Sequence, residues 1–461
     1  MRKETTIEHR KRTVLVIGGG AAGMMAAIEA ARAGAIVTLV EKNSQLGKKL
    51  STTGNGRCNY TNLDMSDQIG GKYRGMHPAF ATPALDVLSS EKTISWFREI
   101  GVEPRFRGSY VYPNSDQASA VVDALHEELR RLSVKILFDE NVKSIQKIEE
   151  SSPFFLVTCE HAVVKADRVI LAAGSKAAPK TGSSGDGYFL ARKLGHTVVP
   201  YVPALCGICC SGPAFPALAG IRTEASLTLF VDGKCVDAEE GELQLVDYGI
   251  SGIPVFQLSR YAAYALREEK KTAVYINFLP GFTSERSRNK IKTTGKNVSE
   301  AEDEKRVLEL QKECVVQLYK ERKRRLAGSR MEHFFTGLLN QKLAKVLLQM
   351  ANVRPELPIS ALDDKQLCSL ASLTFRFKAE CIGVKDFTHA QVVAGGVDTA
   401  EIDPETMESR LVPGLYFVGE VLDIDGICGG YNLQWAWASG YVAGRHAAAG
   451  IHARTMIKES V

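Results

Sequence analysis

The sequence predicts an α/β protein: a discontinuous dinucleotide-binding domain interrupted by a β-rich and helical insert. Three observations predict it. A short β-branched run at 13–17 meets three glycines and then an alanine-rich segment. The same texture, a buried strand ending at glycine, returns at 169–174 and again at 414–419. Between those two, from about residue 200, proline-punctuated alternating runs give way to a charged helical pattern. A chain of 461 residues accommodates about three structural units. The divisions expected are 12–199 and 388–455 for the two parts of the dinucleotide-binding domain, 200–282 and 353–387 for the β-rich insert, and 283–352 for a helical subdomain.

Each element follows from local pattern. Residues 13–17 and 36–40 read as buried parallel strands, and 21–33 between them as a helix closed by Gly34. Residues 43–75 are rich in Gly, Asn and Thr and read as loop. Helical periodicity returns at 84–100 and 117–132, and short strands follow at 134–138, 142–147, 154–159 and 168–172. In the insert, 226–231 and 273–278 alternate as strands, 284–350 is helical, and 373–378 alternates as a strand once more.

Composition narrows the function classes. With 45% hydrophobic and 24% charged residues, disordered and collagen-like chains are excluded. Ten cysteines in this length do not make a disulfide scaffold. Cys206, Cys209 and Cys210 lack a second pair, so no metal site is expected. The apolar run at 14–17 is too short for a secretory signal, and no segment reaches the roughly 18 apolar residues of a membrane span. The expectation is a cytoplasmic enzyme without membrane insertion; oligomeric state is left open. The net charge of +5 conceals 14 Lys/Arg against 7 Asp/Glu between Arg286 and Arg330. Val307, Leu308, Leu310, Val315, Val316 and Leu318 in that stretch suit an amphipathic helix. Nucleic acid is therefore not the expected partner.

Gly18-Gly19-Gly20-Ala21-Ala22-Gly23 matches G-x-G-x-x-G between a strand and a helix. Its glycines permit a tight turn, close approach to a pyrophosphate, and close helix packing. The helix N-terminus adds free N–H groups and partial positive charge. Glu41, with Lys42 beside it, closes the second strand 23 residues after Gly18 and is placed to bind ribose hydroxyls. A carboxylate there disfavours a 2′-phosphate. The C-terminal part favours a flavin over a nicotinamide at this site. After Gly419-Glu420, Asp423 is suited to bonding ribityl hydroxyls, and Gly430-Tyr431-Asn432-Leu433 opens a second helix running through Ala447. Its N–H groups suit the negative charge of a reduced isoalloxazine. Ala173-Gly174 forms the turn that returns beneath the adenosine half.

The run Gly47-Lys-Lys-Leu-Ser-Thr-Thr-Gly-Asn-Gly-Arg-Cys-Asn59, residues 182–188, Gly241-Glu242 with Tyr248-Gly-Ile-Ser-Gly252, and most of 392–444 resemble the bacterial NAD(P)/FAD-dependent oxidoreductases of the aminoacetone oxidase-like type. The resemblance implies a two-dinucleotide-fold flavoprotein with a discontinuous Rossmann-like FAD domain, an inserted β-barrel and a helical subdomain. It implies FAD contacts from Lys49, Gly54, Asn55, Arg57, Cys58, Asn59, Val142 and Asp186. It also implies an activity: NAD(P)H, docking transiently, reduces the flavin, which reduces a C=C bond conjugated to a ketone in a small apolar substrate such as a 3-dehydro-4,6-diene bile acid intermediate. Two departures bear on substrate choice: Asp247 stands where histidine is expected, and residues 205–210 replace an apolar run with a cysteine-rich one.

Reduction of an enone needs a proton for the α-carbon and a donor to the developing enolate. Tyr112 is the first choice for the acid, with Tyr248 and Ser251 as further donors. Two other readings stay open. A thiol/disulfide or quinone oxidoreductase would use Cys58, with Cys428 as the conceivable partner, but no C-x4-C or C-x2-C follows the first helix. A flavin-dependent RNA-modifying protein would use the basic cluster Arg322-Lys-Arg-Arg325.

Overall fold

The uninterrupted run Thr13–Ile17 forms β1, with Val14, Leu15 and Val16 fully buried, as a central strand covered on both faces requires. The computed structural model describes residues 11–65, 71–150, 152–282 and 300–449. The expected boundary at 283, the first part of the basic stretch and the end of the 388–455 segment lie outside these residues. The chain divides into two units, one running to Val202 and resuming at Ala390, the other spanning Pro203–His389.

In the first unit, α1 (Ala21–Arg32) and β2 (Ile36–Val40) complete the opening βαβ. There follow β3 (Thr61–Asn62), β4 (Pro104–Arg107), β5 (Tyr110–Pro113), α2 (Ala118–Arg131), β6 (Lys135–Leu137) and β7 (Arg168–Leu171).

The second unit contains β8 (Ile208–Cys210), β9 (Ile221–Val231), β10 (Lys234–Val246), β11 (Gly249–Ser251), α3 (Ile253–Arg267), β12 (Thr272–Asn277), α4 (Glu300–Arg325), α5 (Gln341–Met350), α6 (Asp364–Phe375) and β13 (Phe377–Val384). Its six strands close into a barrel in the order β8-β11-β10-β9-β12-β13, with β13 pairing back onto β8. Every second residue points inward: Leu227 and Leu229, Val274 and Ile276, and Phe377, Ala379 and Cys381 are all buried.

One expectation for this unit is corrected and one is extended. The stretch 200–282 holds, besides its strands, a helix that the pattern did not announce: α3 starts behind Gly252 with Pro254 in its first turn and buries Val255, Leu258 and Ala262. The strand expected at 373–378 is helix through Phe375. A capping box at Asp363 and Gln366 starts α6, and Leu367, Leu370, Ala371 and Thr374 are buried at helical spacing. The basic cluster on α4 is in part internal: Arg322 donates to Phe334 O at 2.9 and 2.7 Å and to Thr336 O at 3.0 Å.

The chain returns to the first unit with β14 (Leu415–Phe417) and α7 (Tyr431–Ala448). The parallel sheet runs β14-β7-β1-β2-β6. Helix α7 is buried on nearly all sides, and its indoles tie distant segments together. Trp435 Nε1 donates to Gly419 O (3.2 Å) and Trp437 Nε1 to Tyr60 O (2.9 Å). Gly440 and Gly444 let α1 approach at backbone distance. A Cβ on Gly440 would lie 2.5 Å from Ala22 O, and one on Gly444 2.4 Å from Ala26 O. That register means the two helices run parallel. No helix among the described residues is long and apolar enough to cross a membrane.

A buried polar strut holds the returning segment. His196 Nδ1 lies 2.9 Å from Glu401 Oε2, and His196 Nε2 lies 2.9 Å from Ser409 Oγ. The order serine–histidine–carboxylate is that of a hydrolase triad. Here, however, Ser409 is 5% exposed, and its oxygen already accepts N–H bonds from Leu411 (3.1 Å) and Val412 (2.8 Å). The array is a clamp. Burial holds the His196 pKa below its ordinary 6.5, so the ring folds neutral. The unfolded chain then takes up this proton first, and the contribution to stability is present above about pH 6.5 and lost as pH falls below it. Urea midpoints at pH 7.5 and pH 5.5 should show a steeper acid loss in the wild type than in His196→Gln. Equal losses in the two proteins would refute this role.

Candidate active site

A cleft with about 1090 Å³ of empty space, open to solvent, lies within the first unit at the C-terminal ends of its parallel strands. Crevices at that edge are where open α/β sheets place their ligands. Gly18, Gly20, Ala21 and Ala22 contribute from the β1–α1 turn, and Glu41 and Lys42 from the end of β2. Lys49 comes from the next loop and Val142 from beyond β6. Ala173 and Gly174 follow β7, Asp186 starts the helix Asp186–Lys193, Glu420 follows β14, and Asn432 and Leu433 open α7. Eight separate stretches of chain thus meet at one surface.

The turn is built for close approach. Gly18 has φ +106°, and a Cβ there would stand 2.4 Å from Ala172 O. Helix α1 begins behind Gly20 with no side-chain cap and no acidic residue in its first turn. The first helical bond is Met24 N to Gly20 O, so the N–H groups of Ala21, Ala22 and Gly23 have no acceptor inside the helix. Helix α7 repeats this arrangement behind Gly430, again without a side-chain cap or an early acid, and with Gln434 N to Gly430 O as its first bond. Because Gly440 sits beside Ala22, α7 begins eight residues ahead of α1, roughly 12 Å at 1.5 Å per residue. Two electropositive helix ends therefore face one cleft, spaced along it.

Glu41 first serves the protein itself. Its Oε2 accepts Gly19 N at 2.7 Å, and its Oε1 accepts Asn43 N at 2.8 Å and Asn43 Nδ2 at 2.6 Å. A carboxylate has about four acceptor sites, so Oε2 keeps room for one more donor. Two ion pairs also line the cleft: Lys42 Nζ with Asp186 at 2.7 Å, and Lys49 Nζ with Glu420 at 2.6 Å, where Ser175 Oγ also donates at 3.1 Å.

The remaining nominated residues do not line the cleft. Gly23 packs inside the turn, where a Cβ would meet Gly18 O at 1.8 Å. Gly54, Asn55 and Cys58 take left-handed backbone conformations, and Asn59 Oδ1 accepts Val111 N at 3.2 Å. Arg57 is exposed beside them. Gly419 N donates to Ser439 Oγ at 3.0 Å. Asp423 accepts Met76 N at 2.9 Å and is buried away from the cleft, at the Gly75 turn. Tyr431 O accepts the Tyr73 hydroxyl at 2.9 Å. Cys58 is fully buried and its thiol is pushed up to about 12 by desolvation, so it is neutral near pH 7.

The nominated donors are divided between the units. Tyr112 is half-buried in the first, with the Arg107 guanidinium 5.1 Å over its ring. Burial raises its pKa, against the lowering influence of Arg57 and Arg107. Tyr248 and Ser251 belong to the second unit, where they bond each other and Lys385 lies 4.6 Å over the Tyr248 ring. Sequence reasoning missed Glu140 and Asn141, and Thr181, Gly182 and Ser183, which also line the cleft. They carry no spacing signal; only the strand order brings them there.

The profile of the HI0933-like protein Rossmann domain matches residues 12–446. A 3-dehydro-bile acid delta(4,6)-reductase of Clostridium scindens is 40% identical over 435 residues, 94% of this chain and 98% of that protein. A ribosomal RNA dihydrouridine synthase of Escherichia coli K12 is 28% identical over 435 residues, 93% of this chain and 96% of that protein. Among solved structures, a 3-ketosteroid-delta4-(5alpha)-dehydrogenase of Rhodococcus jostii RHA1 aligns at a TM-score of 0.43 and 16% identity, over 97% of this chain and 99% of that one, too distant to decide anything further. The chain belongs to the HI0933-like Rossmann-domain family.

Proposed function

We propose that the protein is a FAD-dependent oxidoreductase that reduces a C=C bond conjugated to a carbonyl, with a 3-oxo-4,6-diene steroid acid as substrate and NAD(P)H as transient reductant. The observation that carries this reading is the pair of uncapped helix N-termini spaced along one cleft. The residues present fit FAD. The N–H groups opening α1 suit its pyrophosphate, the remaining acceptor site on Glu41 Oε2 suits a ribose hydroxyl, and the N–H groups opening α7 suit negative charge on the reduced ring. When bound, FAD supplies hydride transfer to the β-carbon of an enone.

The protein's own residues supply the rest. The Lys49–Glu420 and Lys42–Asp186 pairs neutralise two of the carboxylates on the cleft walls. Tyr112, a phenol that is protonated at neutral pH and so has a proton to give, donates to the α-carbon. Burial of Cys58 argues against the thiol/disulfide alternative.

A second reading has a specific observation in its favour. The names of the bile-acid reductase and the dihydrouridine synthase imply one reaction type, since the uracil C5=C6 bond is also conjugated to a carbonyl. Lys323, Arg324 and Arg325 would then serve RNA. The 40% relative favours the steroid over the nucleic acid.

Two experiments test these statements. In anaerobic stopped-flow, the yellow protein reduced by NAD(P)H should be reoxidised by a 3-oxo-4,6-diene bile acid and not by unmodified ribosomal RNA. Reoxidation by the RNA alone would reverse the ranking, and a colourless protein that refuses added FAD would end both readings. Tyr112→Phe should leave reduction of the flavin intact and slow its reoxidation by the dienone by at least about 10²-fold. An unchanged rate would remove Tyr112 from the mechanism.

A further inference from the structure

The small sheet β3-β5-β4 of the first unit carries chemistry that the proposed reaction leaves mostly unused. Directly paired residues of antiparallel strands share a face. Arg105 pairs with Tyr112 and Arg107 with Tyr110, while Tyr110 also pairs with Asn62 of β3. Two guanidiniums and two phenol rings therefore stand on one side, and Phe106 and Val111 on the other. Arg57, from the loop before β3, lies near enough to Tyr112 to act on its hydroxyl.

Charge on this face is not balanced. A single carboxylate, Asp116, serves both Arg105 and Arg107, whose side chains stay 48% and 39% exposed. Arg57 is exposed as well. Three cations against one anion leave a surplus of about two charges, the charge of a pyrophosphate. Arginine binds phosphate oxygens bidentately, and phenol rings stack on planar bases.

The face also adjoins the cleft. Asn62 Nδ2 donates to Gly429 O at 2.8 Å, and a Cβ on Gly429 would lie 2.9 Å from the Tyr110 ring. Asn432 and Leu433, a few residues further on, line the cleft itself. The chain carries one glycine fingerprint of the G-x-G-x-x-G type, and that turn lines the cleft assigned to FAD. A second dinucleotide has to be held by side chains.

We propose that this face binds the pyridine dinucleotide, with Arg57, Arg105 and Arg107 taking its pyrophosphate and Tyr110 stacking on one of its rings. The assignment rests on the flavin reading above, which gives the glycine turn to FAD; the charge and ring content of this face do not. A single-stranded RNA would need a longer cationic track than one hairpin face provides.

Calorimetric titration of the flavin-loaded full chain with NADP+ and with NAD+, at low and moderate salt, tests the site. The Arg105→Ala/Arg107→Ala double variant should raise Kd at least about tenfold and flatten its salt dependence. Phe106→Ala on the opposite face should leave Kd unchanged, as should Arg130→Ala on α2, whose guanidinium pairs with Glu127. Unchanged affinity in the double variant, no binding by the wild type, or an equal loss in Phe106→Ala would each overturn the proposal. So would loss of RNA oligomer binding with dinucleotide affinity intact, which would give the face to nucleic acid. Visible absorbance of the same samples separates the two claims. A colourless protein with arginine-dependent dinucleotide binding would sink the flavin reading and leave this site standing.

Discussion

Close contact between α1 and α7 is the constraint on which the site depends. Gly440 and Gly444 place the α7 backbone against Ala22 O and Ala26 O at distances no side chain would permit. Parallel helices in contact carry their dipoles in the same sense, which is unfavourable unless the like ends are served by opposite charge. Here both N-termini open on the cleft, staggered by about two turns. An anionic group extended along the cleft meets one helix end and then the other. The packing that makes the core dense and the electrostatics that make the cleft attractive to a dinucleotide are one feature.

The other polar groups of the first unit follow from this arrangement. Glu41 fixes the glycine turn through Gly19 N before it offers anything to a ligand, so it sets the geometry as well as the charge. Lys49 and Glu420 tie the segment after β2 to the segment after β14, residues 371 apart in sequence. Trp435 and Trp437 bind the same distant pieces through their indole N–H groups. The interrupted chain is closed again by these contacts and by the His196 clamp, and burial of their polar atoms makes each of them costly to lose.

The elements read from pattern were those with strong local signals. β1, β2, the opening helix and α7 stand where β-branched runs, glycines and alanine periodicity place them. Residues 373–378 failed because alternation over six residues cannot compete with a capped helix that buries Leu367, Leu370, Ala371 and Thr374. Helix α3 escaped notice behind the prolines and short strands around it. Of the nominated cofactor residues, those in the glycine turn and at strand ends line the cleft, apart from Gly23 and Gly419. Asp423 and the stretch from Gly54 to Asn59 hold neighbouring loops instead, a distinction that depends on where a side chain turns and not on which residue it is.

By itself the sequence determined the dinucleotide turn, the acid at the end of β2, the second glycine-led helix and the break between them, because each is written in residues close together and obeys local sterics. Tertiary structure decided the rest. Glu140, Asn141 and Thr181 join the cleft because β6, β2, β1, β7 and β14 lie side by side, and Arg105 and Arg107 face Tyr112 and Tyr110 because of a strand register. Neighbours of that kind are set by burial and pairing across tens to hundreds of residues, and no local run of amino acids encodes them.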